Sequence, residues 1–129
     1  MIAALVLSAL VSSASPAPAW EPLACLYCEA DEARSMGWSY ERAQAGDDRT
    51  GWRDYIVPDE VRRHRFATQR ECLRALRRAL PVADHETDEA GQITTRTHLR
   101  DHVSESQSIP GVQSATALYG CFEHRAPTS

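Results

Sequence analysis

The four cysteines, Cys25, Cys28, Cys72 and Cys121, are the feature that most constrains the fold of this 129-residue chain. An even number of cysteines in a small exported chain is typical of a disulfide framework, because an oxidising compartment favours the disulfide over the thiols. One pairing joins Cys25 to Cys28 and Cys72 to Cys121. The two alternatives join Cys25 and Cys28 separately to Cys72 and Cys121, so the framework depends on export and on the fold.

The start of the sequence predicts export. Residues 1–14 carry no charge and are mostly apolar, but they are too few for a membrane-spanning helix, which needs about 20 residues. Residues 17–19 give the small-x-small pattern that signal peptidase cleaves, here before Trp20. We therefore predict a signal peptide over 1–19, a single small exported domain over 20–129, and a periplasmic or secreted location.

Two other interpretations of the amino-terminal segment remain. The segment lacks the Lys or Arg that usually precedes the apolar part of a signal peptide, which leaves open a retained N-terminal anchor. A lipoprotein would carry its lipid on Cys25. Pro22 stands where an aliphatic residue is expected in that motif, and this disfavours the lipoprotein.

The charge composition disfavours one class of partner. All 14 basic residues are Arg, and 18 acidic residues give a formal charge of −4. Nucleic acid is therefore an unlikely partner for the protein as a whole, because such proteins are usually basic. An apolar content of 43% and a charged content of 25% are typical of an ordinary globular domain.

Residues 69–80 are predicted to form the main helix. Thr68 and Glu71 have the spacing of a capping box, in which each side chain bonds to the other end of the first turn. Leu73, Leu76 and Leu80 follow at helical spacing, and Pro81 ends the helix. The opposite face carries four arginines, Arg70, Arg74, Arg77 and Arg78.

Weaker patterns complete the predicted fold. We expect a helix over 21–35, a hairpin of strands 38–40 and 52–57 around a turn at 46–51, and strands over 93–99 and 115–122. Turns are predicted at 89–92 and 110–111. The order indicates an α+β fold, a small antiparallel sheet packed against one main helix at about 69–80 and stabilised by disulfides.

The predicted elements favour one cysteine pairing. Cys72 lies in the first turn of the main helix on its apolar side, and Cys121 lies in the last strand. A helix packed on a sheet brings such residues within the roughly 4.4–6.8 Å Cα separation that a disulfide requires. We therefore favour Cys72 with Cys121, which leaves Cys25 with Cys28.

Cys25 and Cys28 also have the CxxC spacing of thiol–disulfide oxidoreductases. In thioredoxin-like domains that motif follows a buried strand, whereas the sequence predicts only residues 20–24, within a helix, before Cys25. Glu29 is the adjacent charge, and it would raise the pKa of a neighbouring thiol rather than lower it. We expect a structural disulfide, with a periplasmic thiol–disulfide protein using Cys25 and Cys28 as the alternative.

Metal binding is another interpretation of the cysteines, together with the histidines. Cys25 and Cys28 could form half of a zinc site completed by Cys72, Cys121 or histidines. An oxidising compartment disfavours free thiolates, and His98 and His102, at i and i+4, lie in a segment predicted as strand. His85 and His124 are expected to be solvated. We predict no metal site and no cofactor.

Seven arginines and one acid, Glu71, lie between positions 62 and 78. Such a surface could bind a phosphate polymer, a sulfated sugar or an acidic headgroup. The favoured interpretation is a solvated helix face paired with acids such as Asp59, Glu60 or the run over 84–89.

No Ser/His/Asp triad, carboxylate pair or glycine-rich phosphate loop stands out. The aromatic residues Trp38, Tyr40, Trp52 and Tyr55 are expected in the core rather than on a sugar-binding surface. The sequence thus predicts a non-enzymatic binding or structural module held by disulfides. The alternatives are the thiol–disulfide protein and an anion- or polymer-binding protein that uses the Arg-rich helix, with an envelope component as a candidate partner.

Overall fold

A five-stranded antiparallel sheet organises residues 18–45 and 51–125, the part of the chain that the computed structural model describes. The strands are β1 (Ala19–Leu26), β2 (Ala83–Thr87), β3 (Ile93–His98), β4 (Val103–Ile109) and β5 (Gln113–His124). The helices are α1 (Ala30–Ser35), α2 (Tyr40–Gln44) and α3 (Gln69–Ala79). Nearly all of the predicted leader and of the predicted turn at 46–51 lies outside the described residues.

The strand order β1-β5-β4-β3-β2 places the first strand of the sheet beside the last. The 12-residue β5 pairs with all of β1 and, along its first half, with β4. Its residues 117–122 are all buried, because both faces of the sheet are covered at this point. Alternate side chains of β5 therefore enter two different core clusters.

Helix α3 covers one face, as its sequence predicts. The Thr68 hydroxyl accepts a hydrogen bond from the backbone N–H of Glu71 at 3.1 Å, which satisfies one of the free donors of the first turn. Cys72, Leu73 and Leu76 are buried against Ala117, Tyr119 and other residues of the sheet. The prediction of this helix is confirmed.

An aromatic cluster covers the opposite face. The rings of Trp38 and Trp52 lie 5.2 Å and 4.8 Å from that of Phe122 on β5, within the range of favourable aromatic pairs. The predicted hairpin is wrong, since Trp38 lies in a turn after α1 and residues 52–57 form no strand. Trp52 is a core residue as expected, whereas Tyr55 is 54% exposed.

The predicted helix over 21–35 is also wrong. Residues 19–26 form β1, and only Ala30–Ser35 is helical. Leu23 and Cys25 face one core cluster while Ala24 faces the other. A strand buried on both faces has a continuous apolar sequence, which periodicity does not distinguish from a buried helix.

The outer edge of β1 is covered by the segment that precedes α3. The backbone N–H groups of Trp20 and Ala24 donate to the carbonyls of Phe66 and Arg53, at 2.8 and 2.7 Å. Pro22 lies between them, at a position whose nitrogen faces this outer edge rather than β5. The proline therefore removes no bond from the β1–β5 ladder.

Strands β2 and β4 were not predicted, and they change the fold class. The chain is α+β but mostly sheet, so the expectation of one main helix packed on a small sheet is corrected.

Strand β4 carries a buried Glu105, whose carboxylate pairs with Arg96 at 2.6 Å and accepts a hydrogen bond from the Tyr119 hydroxyl at 3.2 Å. Burial raises the pKa of Tyr119, which keeps this hydroxyl a donor.

Both disulfides have the pairing that the sequence favours. Cys72 and Cys121 join α3 to β5 with a Cα separation of 6.1 Å, and Cys25 and Cys28 are bonded with a Cα separation of 5.7 Å. The first bond connects residues 49 positions apart. It thus links the helix to the central strand across the core.

Replacing Cys72 and Cys121 together by Ser should lower the free energy of unfolding by roughly 3–4 kcal/mol, because the unfolded chain loses a long covalent loop. Urea denaturation of the oxidised wild type and of the double variant measures this loss. The Cys25–Cys28 bond closes a far shorter loop, so the Cys25→Ser, Cys28→Ser variant should lose less stability. A peptide map that links Cys72 to Cys25 or Cys28 would contradict the pairing.

Gly120→Ala should destabilise the fold by about 1–3 kcal/mol through overpacking. A Cβ at this position would lie 2.6 Å from the Trp38 ring and 3.4 Å from that of Phe122. Chemical denaturation followed by tryptophan fluorescence measures the change. Ser114→Ala, at an exposed position of the same strand, is the matched control and should be nearly neutral. Equal stability of the two variants would refute the close packing.

Candidate functional site

The Cys25–Cys28 bond lies where β1 ends and before α1 begins. A buried strand therefore does precede the motif, contrary to the sequence analysis. The cysteines themselves are only 1% and 9% exposed, and they pack with Leu23, Leu118 and Phe122. Thiol–disulfide exchange requires direct attack on a sulfur atom, so this burial favours a structural disulfide.

The run of arginines divides into separate groups. Arg62 pairs with Asp59 at 3.0 Å, as expected, and Arg63 pairs with Asp54 at 2.9 Å. Arg65 lies 3.6 Å from the buried carboxylate of Glu21. These three arginines are thus held along the covered edge of β1 rather than on the face of α3.

The four predicted arginines of α3 do not converge on one site. Arg77 donates to the carbonyls of Leu99 and Arg100, at 2.8 and 3.0 Å, and so attaches the helix to the β3–β4 loop. Arg78 lines a separate groove with His64 and Phe66. Arg70 and Arg74 are exposed and form no ion pair or side-chain hydrogen bond among the described residues.

A groove of about 580 Å³ lies beside Arg77, a volume within the usual range of ligand pockets. Three elements line it: α1, the first half of α3 and the loop between β3 and β4. Its lining residues are Arg34, Gln69, Leu73, Leu99, Arg100, Asp101 and His102. The Gln69 amide donates to the Cys121 carbonyl at 3.3 Å, so this wall of the groove lies directly beside the Cys72–Cys121 disulfide.

An ionic cluster forms one side of this groove, which we call the Asp101 groove. Arg34 donates to both carboxylate oxygens of Asp101, at 2.6 and 3.1 Å. The same carboxylate lies 2.7 Å from Nδ1 of His102. The hydrogen bond from Arg34 is the main cause that lowers the pKa of Asp101 to about 2, and His102 adds to it. Asp101 is therefore an anion at any physiological pH.

Four of the described histidines each contact a different group. Nε2 of His98 lies 2.6 Å from the carbonyl of Leu80, while His102 turns to Asp101. His85 lies against Asp84, and His124 against Glu21. Within 18–45 and 51–125, no three His, Cys, Asp or Glu residues are placed to hold a metal ion.

The sequence indicated His102 only as a possible metal ligand and gave no sign of the groove. Asp101 and His102 lie in the loop between β3 and β4, and β4 was not predicted. Arg34 is 67 residues away from Asp101 in the chain. The one local signal was the cluster of charged residues at 100–102 between two β-branched segments.

No known family model matches this chain, and no curated protein or solved structure matches it either. Among the helices of the described residues, none combines the length and apolar character needed to cross a membrane. The described surfaces and the two disulfides are therefore the features of the molecule that bear on its function.

Asp101→Asn should lower the stability at neutral pH by about 1 kcal/mol, after allowance for solvent screening of the exposed Arg34. The pKa of Asp101 is lower in the folded state, so its contribution is complete above about pH 4 and is lost as the pH falls towards 2. Denaturation midpoints measured from pH 7 to 2 should fall less steeply in the variant. Parallel curves would contradict the ion pair.

Proposed function

We propose that this protein is an exported, disulfide-stabilised binding module that does not chemically change its ligand. The observation that supports this proposal is that both disulfides are buried within core clusters. Disulfides of this kind are compatible with a periplasmic or extracellular location, where the redox conditions preserve them. In such a small domain they supplement the stability of a limited core.

The arrangement of the CxxC motif disfavours the thiol–disulfide alternative. A catalytic disulfide presents a sulfur atom to its substrate, whereas Cys25 and Cys28 are covered by neighbouring side chains. Helix α1 has only six residues, and acidic Asp31 and Glu32 occupy its first turn. Negative charge near a thiol disfavours the thiolate that such catalysis requires.

An insulin-reduction assay tests whether the CxxC motif has thiol–disulfide exchange activity. The wild type should reduce insulin no faster than the Cys25→Ser, Cys28→Ser variant, because the motif is inaccessible in the folded state. The rate of insulin precipitation with dithiothreitol as the reductant measures the difference. A wild-type rate well above that of the variant would replace our proposal with the thiol–disulfide function.

The exposed face of α3 favours an anionic polymer or envelope component as the ligand. Arg70 and Arg74 lie one turn apart on the helix, on the same side as Arg77. Arg77 contacts the loop that carries Arg100, so the positive surface continues from the helix onto this loop. We call Arg70, Arg74 and Arg100 the arginine face. It is locally basic although the whole chain has a charge of −4.

Retention on an immobilised sulfated polysaccharide tests this surface. Arg70→Ala together with Arg74→Ala should elute at a lower salt concentration than the wild type, because fewer counterions are released on binding. Arg42→Ala together with Arg63→Ala removes the same charge from exposed positions elsewhere and should elute close to the wild type. Equal shifts in both double variants would show that net charge, rather than the arginine face, governs retention.

A further inference from the structure

One nitrogen of His102 in the Asp101 groove has no partner. The residue is only 5% exposed, and its Nδ1 lies against Asp101. Its Nε2 forms no hydrogen bond with the described residues. The buried side-chain atoms that lack a partner among the described residues are Nε1 of Trp52 and Nε of Arg77, so Nε2 of His102 is open to solvent and has no protein partner. The groove that His102 lines has room for a ligand to supply one.

We infer that the Asp101 groove binds a single oxyanionic group, a phosphate, sulfate or carboxylate, through Nε2 of protonated His102 and the guanidinium of Arg100. The inference rests on the proposed binding of anions and identifies where the charged group of the ligand is recognised. Arg70 and Arg74 of the arginine face then hold the remainder of a longer ligand by charge alone.

The contact with Asp101 determines which nitrogen of His102 carries a proton and therefore how anion binding depends on pH. Nδ1 of His102 donates to the carboxylate, so the neutral imidazole leaves a lone pair on Nε2 that repels an anion. When Nε2 gains a proton, His102 donates from both nitrogens, to Asp101 on one side and to the oxyanion on the other. Binding of the oxyanion therefore takes up one proton at Nε2, and the anion binds more tightly as the pH falls.

The charges around His102 balance before it is protonated. Its own loop contributes Asp101 and Arg100, and α1 contributes Arg34 together with Asp31, which also accepts a hydrogen bond from Arg34. Helix α3 contributes the uncharged Gln69 and Leu73. Among the lining residues and their ion-pair partners, two carboxylates face two guanidinium groups, so protonation of His102 makes the cluster positive. An oxyanion then neutralises this charge and accepts a hydrogen bond from Nε2.

The lining residues point to binding rather than to catalysis. None of the seven is a Ser, Thr or Cys that His102 could activate as a nucleophile. The Asp101 carboxylate is already occupied by Arg34 and His102. The groove thus holds donors for an anion without a group that would attack it.

Isothermal titration of the full protein with sulfate, an anion whose charge does not change between pH 5 and 8, tests the inference. Histidine is the side chain that ordinarily changes charge between about pH 5 and 8. We expect sulfate to bind about tenfold more tightly near pH 5.5 than near pH 8, the effect of one charge-assisted hydrogen bond. Sulfate should also shift the ¹⁵N resonance of Nε2 of His102. Affinity that does not change with pH, or an unperturbed resonance, would overturn the inference.

Two variants and a control separate the groove from the rest of the surface. Arg100→Ala, at an exposed position, should weaken sulfate binding about tenfold at both pH values through loss of an ionic donor. His102→Gln keeps an amide donor but takes up no proton, so sulfate binding should lose its pH dependence. The control, Arg78→Ala, removes an exposed arginine from a separate groove and should leave sulfate affinity unchanged. An Arg100→Ala variant that binds sulfate like the wild type would refute the site even if His102→Gln fails to fold.

The same titration with phosphate and with acetate near pH 5.5 identifies the class of oxyanion. A preference for one of the three anions that is lost in Arg100→Ala supports the groove and assigns its ligand. A protein that is retained on the sulfated polysaccharide through Arg70 and Arg74, yet binds none of the three small anions near pH 5.5, would refute the groove site alone. A wild type that binds sulfate in the titration but is not retained on the polysaccharide would instead refute the arginine face.

Discussion

The pairing of β1 with β5 is the constraint on which the rest of the structure depends. It joins the first strand to the last along eight residue pairs, from Ala19 with His124 to Leu26 with Ala117. Because these two strands are buried on both faces, each face requires its own cover, α3 on one side and the aromatic cluster on the other. One disulfide lies on each side of the strand pair, so the covalent links reinforce the two interfaces that bury most apolar surface.

The geometry of the Asp101 groove depends on the covalent and hydrogen-bonded attachments of α3. Helix α3 is held to β5 by the Cys72–Cys121 disulfide near its beginning and to the β3–β4 loop by Arg77 near its end. The groove lies between these two attachments, and Arg34 holds Asp101 against α1 on the third side. Ligand contacts placed on attached elements keep their spacing, so binding need not order a mobile loop. This rigidity favours recognition of a small group with fixed geometry.

Two of the charged surfaces among the described residues are opposite in sign. The edge strand β2 carries Asp84 and Glu86 on exposed positions and has an irregular register before Glu86. Charges and irregular pairing at a sheet edge disfavour the addition of strands from other molecules. The arginine face lies on α3 and the adjoining loop instead. A protein with a net charge of −4 therefore has a local basic surface, the arginine face, that is exposed to an anionic partner. The composition alone did not show this surface.

The sequence by itself determined the elements whose signals are local. The Thr68 cap, the leucine spacing and Pro81 define α3, and Gly91 and Gly111 adopt the positive φ of the predicted turns before β3 and β5. Only the tertiary structure decided that residues 19–26 form a strand, because burial on both faces gives them the apolar run of a helix. It also decided β4, because the polar Glu105 of this strand is buried through its pairing with Arg96 rather than by hydrophobicity. The groove depends on all of these, since Arg34, Gln69 and Asp101 meet only after β1 pairs with β5 and α3 packs upon the sheet.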